Sequence, residues 1–164
     1  MEREVRRLYT PAAGEVFPAS VLNSGETAEK PGRLGEGFAV GVAGIFRLYY
    51  RFVPAVEICA PADCAVIAAE ERSFRVRMGD GLELDVTLPG AAEFLLSPGD
   101  MAPAGEPVCR ISREDFCRGR AGAVVTFCDS SRVTELHTLP GLKRTGTLAA
   151  EYFPRPLESQ DSRP

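Results

Sequence analysis

The sequence predicts an all-β fold, an antiparallel barrel-like sandwich with a few short helical turns, and three observations lead there. Turn signals recur along the whole chain, among them Pro31-Gly32, Gly79-Asp80-Gly81, Pro89-Gly90, Pro98-Gly99 and Pro140-Gly141. Between them lie short runs rich in Val, Ile, Leu and Phe, few of which have the length a helix needs. Where the pattern is sharpest, apolar and polar side chains alternate with the two-residue period of a strand.

Taken in order, strands are expected at residues 14–18, 37–41, 56–60, 65–69, 73–78, 82–88, 107–111 and 124–127. Short helical turns are expected at 112–118, where Ser112 is placed to cap, and at 130–139. With 164 residues and 45% hydrophobic composition the chain suits one domain with a real core. Residues 1–9 read as an N-terminal extension and 10–150 as the domain. Residues 151–164, with Pro154, Pro156 and Pro164 among polar side chains, read as a frayed tail.

The hairpin over 73–88 is the most determined element. Alternation puts Phe74, Val76 and Met78 on one face with Leu82, Leu84, Val86 and Leu88. A three-residue Gly79-Asp80-Gly81 loop makes that register natural, because glycine takes positive φ without strain. Arg75 then faces Asp85, Arg77 faces Glu83 and Ser73 faces Thr87, with Arg72 beside them. A two-residue loop would pair Arg72 with Thr87 but mix polar and apolar side chains across the sheet, so the first register is preferred.

Composition excludes several classes. The formal charge is −4, and of the basic residues only Lys30 and Lys143 are lysines, so no basic face for nucleic acid is implied. No run approaches the roughly 20 apolar residues that span a bilayer, and no apolar signal core follows the N-terminus, so a cytoplasmic protein without membrane insertion is expected. Cys59, Cys64, Cys109, Cys117 and Cys128 form an odd set without a CxxC pair, which reads as reduced thiols rather than zinc ligands or a disulfide framework. No metal or cofactor is called for. Gly35-Glu36-Gly37 lacks the third glycine and helix of a dinucleotide loop. Glu70, Glu71, Asp80, Glu83 and Asp85 read as a solvated face rather than acid–base pairs.

Five stretches, in order, carry a family resemblance. Pro11-Ala12-Ala13-Gly14-Glu15-Val16 resembles an opening P-x-x-G-x-I/V. Ala28-Glu29-Lys30 with Leu34-Gly35-Glu36-Gly37-Phe38-Ala39-Val40 resembles a following G-x-G-V/I-A segment. Ala60-Pro61-Ala62-Asp63-Cys64-Ala65-Val66 resembles A-P-x-D-G-x-I/V, with Cys64 in place of the glycine. Residues 97–108 resemble the G-D-x-V-x-x-G turn, and Val124-Val125-Thr126-Phe127-Cys128-Asp129 a closing strand. Over residues 10–150 the chain resembles the glucose-type enzyme IIA domain of the phosphoenolpyruvate-dependent sugar phosphotransferase system. That resemblance implies a glucose permease IIA-like fold, the duplicated hybrid motif, and partners among phosphotransferase or transporter proteins.

The catalytic segment departs from the family. Two histidines fifteen residues apart carry its phosphoryl relay, and at those places this chain has Arg72 and Thr87. The loop after the second is shortened to Pro89-Gly90-Ala91-Ala92-Glu93. Relay needs a neutral imidazole near pH 7, whereas arginine stays protonated and a threonine phosphate ester is a poor donor. The only histidine, His137, falls in the expected helical turn after the last strand, away from that face. The residues therefore argue for a regulatory or binding module that has lost phosphoryl transfer. The alternative is a IIA component still active in sugar transport through another acceptor.

Arg72, Ser73 and Thr87 could form a small anion site in place of the relay. A second candidate is the stretch from Val40 to Ala60, where nineteen residues stand, more than the family has. Phe46, Tyr49, Tyr50 and Phe52 with two arginines there make either an extra hairpin packed over the barrel or an exposed surface for a partner or for self-association. Other barrels of similar topology fit less well: neither lysine lies in a carrier-type hairpin, and one histidine cannot furnish a peptidase zinc site.

Overall fold

The computed structural model describes residues 4–23, 36–42 and 44–155. The Ala28-Glu29-Lys30 and Leu34-Gly35 parts of the second motif lie outside the described residues. Fourteen short strands among the described residues form three antiparallel sheets, a sandwich and not a closed barrel.

The main sheet grows from the expected hairpin. β5 (Cys64–Glu70), β6 (Ser73–Met78) and β7 (Glu83–Thr87) form an antiparallel meander, and β9 (Met101–Ala102) pairs with the far side of β5. On its other side β7 pairs with β11 (Ala123–Phe127), which pairs in turn with β3 (Gly37–Gly41), β2 (Gly14–Pro18) and β13 (Gly141–Lys143). Between β6 and β7 the observed register sets Ser73 opposite Thr87, Arg75 opposite Asp85 and Arg77 opposite Glu83, as the three-residue loop requires. Gly81 closes that loop at φ 87°. All seven apolar side chains of the hairpin's inner face are buried. A one-residue slip would send every one of them to water, so burial fixes the register.

β3 and β11 approach closely. A Cβ on Gly37 would stand 1.9 Å from the carbonyl oxygen of Val125, so only glycine fits there.

A second sheet, β4 (Ala55–Cys59), β10 (Pro107–Ser112) and β8 (Ala92–Phe94), packs its Val56, Ile58, Val108 and Ile111 into the same core. β10 runs into α2 (Arg113–Phe116), whose cap is the expected one: the Ser112 hydroxyl accepts from the Asp115 N–H at 3.1 Å.

The third sheet corrects three expectations. β1 (Arg6–Tyr9) and β12 (Val133–Thr138) flank β14 (Leu148–Pro154), so part of the supposed extension and part of the supposed tail are ladder strands. The cause is burial that the polar, proline-containing C-terminal sequence hides. Leu8, Ala149, Ala150 and Tyr152 are all in the core, and the Tyr152 hydroxyl donates to Asp80 Oδ2 at 2.7 Å, tying β14 to the hairpin loop. Residues 130–139 are helical only as a 3-10 turn at Ser130–Arg132; the chain then extends, and His137 lies on β12 opposite Glu151.

Between β3 and β4 stands a helix in place of the hairpin that was one expectation. α1 (Ile45–Tyr49) is held by its inward side: Phe46 packs on the core, and buried Tyr50 donates from its hydroxyl to the Ala13 carbonyl at 2.7 Å. Tyr50 also meets Phe116 of α2 edge to face, with ring centres 5.1 Å apart.

Candidate functional site

The outer face of β5, β6 and β7 carries a depression of about 250 Å³. The register builds it. Ser73 stands between Glu70 on β5 and Thr87 on β7, while Arg75 and Asp85 pair one step along the strands. All five side chains line the depression. The structure thus brings together Ser73 and Thr87 of the three expected anion-site residues. Arg72 is exposed and lies outside the lining; its carbonyl accepts from the Leu88 N–H at 2.8 Å, closing the strand pair behind Ser73.

The electrostatics are mixed. Arg75 grips Asp85 through Nε–Oδ1 at 2.8 Å and Nη2–Oδ2 at 3.2 Å, a bidentate pair. The Asp85 hydrogen bonds, then its charge, hold the Arg75 guanidinium more firmly protonated than usual. Glu70 adds a second carboxylate. Beyond the pair, the Cys128 thiol is pushed up to about 11, first by partial burial and then by the Asp85 charge, which leaves it a thiol rather than a thiolate at neutral pH. The depression therefore offers two hydroxyls, the Glu70 carboxylate and the Arg75–Asp85 ion pair. No imidazole lines it, and His137 belongs to the other sheet, with β1 and β14.

Among the described residues no group of His, Cys, Asp and Glu is arranged to hold a metal ion. Nor is any helix among them long and apolar enough to cross a membrane.

The four aromatics of the second candidate separate. Phe46 and Tyr50 face the core, whereas Tyr49 and Phe52 are exposed, Phe52 by 84%. Beside them Ile45 and Leu48 are exposed as well, aliphatic residues the sequence reading had not singled out. The roles of Glu70, Arg75 and Asp85 around the hydroxyls were also missed. The pairing of Arg75 with Asp85 was legible, but the place of Glu70 depends on the β5–β6 register, which slips at a bulge between Val66 and Ala68.

No family model matches the chain, and no curated protein matches it in sequence. Among solved structures it is similar to glucose permease IIA from Mycoplasma capricolum, with a TM-score of 0.67 over 90% of this chain and 96% of that one. The fold is IIA-like. Identity across that pair is 14%, so what they share is architecture. A novel M23 metalloprotease, pseudoalterin, from the deep sea is also similar at a TM-score of 0.40 and 13% identity, covering 91% of each chain.

Proposed function

We propose that this chain is a IIA-like module of sugar uptake that binds or regulates a phosphotransferase or transporter protein without relaying phosphoryl groups. One observation carries the reading. At the head of β6 and β7, on the outer face of a IIA-like sandwich, Ser73 and Thr87 face each other across the ladder with no histidine lining the depression. A relay group must accept phosphate and release it again. Hydroxyls beside Glu70 and an Arg75-bound Asp85 have no imidazole to take up the proton in the first step and form an ester unsuited to the second.

The anion-binding role for Arg72, Ser73 and Thr87 belongs to the same proposal. Two hydroxyls at the strand ends support it, with Arg72 next to them; the Glu70 carboxylate opposes it. Titration with inorganic phosphate, followed through the amide resonances of Ser73 and Thr87, tests it, and unmoved resonances remove it.

A second reading has the exposed Thr87 side chain on its side: a IIA component still active in sugar transport through a non-histidine acceptor. Incubation with labelled phosphoenolpyruvate, enzyme I and the phosphocarrier protein HPr separates the two. No label on the chain is the expected result. Stable label that disappears in Thr87→Val would establish the second reading and reject the first.

A further inference from the structure

α1 carries apolar side chains on both sides. Phe46 and Tyr50 anchor it, one packed on the core and the other buried and hydrogen-bonded to Ala13. Ile45 and Leu48, respectively 64% and 61% exposed, point the other way with Tyr49, and Phe52 follows in the next turn. Four large apolar side chains within eight residues are thus presented to solvent on a firmly held base, a clustering that marks an interaction surface.

The charge around this tip has the opposite sign to the chain. Residues 44–54 and 110–120 together contain six arginines and two carboxylates, in a protein of formal charge −4. The fold gathers them. Arg47, Arg118 and Arg120 line a depression of about 670 Å³ with the single carboxylate Glu15 on one flank of α1, where Arg118 is paired with Asp115, and Arg110 lines a groove with Tyr49, Val53 and its ion-pair partner Glu57 on the other. Arg113 donates to the Arg51 carbonyl, which docks α2 against the turn that carries Phe52. The Arg51 guanidinium lies 4.8 Å from the centre of the Phe52 ring.

We propose that this tip seats the domain on an anionic lipid bilayer, with Ile45, Leu48, Tyr49 and Phe52 entering the interface and the surrounding arginines meeting headgroup phosphates. Guanidinium forks match phosphate oxygens, and aromatic and aliphatic side chains flanked by arginine are the composition that lies in the headgroup layer. The contact is peripheral, since α1 has five residues and spans nothing. A second copy of the chain suits the surface poorly, because a two-fold contact would set one arginine cluster against another. A protein partner would have to offer a cavity shaped for four projecting side chains, whereas a bilayer yields to them.

Co-sedimentation with vesicles tests the proposal on the full chain. The protein is expected to pellet with phosphatidylcholine vesicles containing phosphatidylglycerol, to stay in the supernatant with phosphatidylcholine alone, and to be released as salt screens the charges. The double variants Leu48→Ser with Phe52→Ser, and Arg47→Glu with Arg51→Glu, should each weaken binding by about tenfold or more while their thermal unfolding matches wild type. If either variant loses its fold, the single Phe52→Ser variant gives the same readout at a position that is 84% exposed. No pelleting with anionic vesicles, or equal pelleting by the folded variants, overturns the proposal. Self-association in sedimentation velocity that the same substitutions abolish, without vesicle binding, would assign the surface to a second copy instead. None of these outcomes depends on whether the domain relays phosphate.

Discussion

Seven of the sixteen residues at 73–88 in the β6–β7 hairpin are apolar, against seven of the nine at 45–53 around α1, yet the less apolar segment has a single possible arrangement and the other does not. In the hairpin every second residue is apolar, so one face alone can be buried, and the charged pairs Arg75–Asp85 and Arg77–Glu83 fall into place on the other. In residues 45–53 the apolar side chains are nearly continuous, so either side could be buried. What selects the buried side is outside the segment: the Ala13 carbonyl that receives the Tyr50 hydroxyl, and the Phe116 ring beside it. Alternation specifies a surface; apolar content alone leaves the choice to neighbours.

The comparison is sharpest between two phenylalanines. Phe74 is 1% exposed and meets Phe94 edge to face, so Phe74→Ala should cost about 3–5 kcal/mol in chemical unfolding. A loss below 1 kcal/mol would mean that the hairpin is not seated on the core as described.

The next effect is one of pH, on β4, whose Cys59 lines a groove with Tyr49 and Tyr50. Cys59 is pushed up from 9.0 to about 11, by burial first and then by the Glu57 and Glu106 charges. Below pH 9 the thiol is neutral folded and unfolded, and its contribution is complete. Between pH 9 and about 11 the unfolded chain gives up the proton while the folded chain keeps it, so stability falls, by up to about 1.4 kcal/mol per pH unit. Urea midpoints against pH should decline less steeply in Cys59→Ala than in wild type, and equal slopes would exonerate Cys59.

Tyr50→Phe should cost about 1 kcal/mol, since it leaves the Ala13 carbonyl without its donor. An unchanged melt would show that α1 is held by packing alone. A double-mutant cycle on Arg75 and Asp85 should give a coupling of about 0.2–1 kcal/mol that shrinks in high salt, because the pair is partly exposed. Last, Phe52→Ala should change stability by no more than about 0.5 kcal/mol, the counterpart of Phe74 in a residue that touches water. A larger loss would place Phe52 in the core and dissolve the contrast.

Much of the candidate site was legible for the same reason as the hairpin. Ser73 opposite Thr87 follows from the loop length and the buried face, and so does the Arg75–Asp85 pair. Arg72 was expected with them, but as the residue before β6 its side chain is not fixed by the pleat, and it lies outside the depression. Glu70 required knowledge of the bulge in β5, which no local pattern announces.

The sequence by itself determined the sandwich class, the central strands, the hairpin register and the Ser112 cap, because each rests on contacts between near neighbours or on a two-residue period. Tertiary structure alone decided the third sheet, the helical form of α1 and the position of His137 on a strand. Leu8 and Tyr152 become core residues only when chain ends that are 144 residues apart meet, and Tyr152 finds its hydroxyl partner at Asp80, far away in sequence. Pairings of that range depend on which surfaces remain unburied after the local elements have formed, and those surfaces exist only in the folded chain.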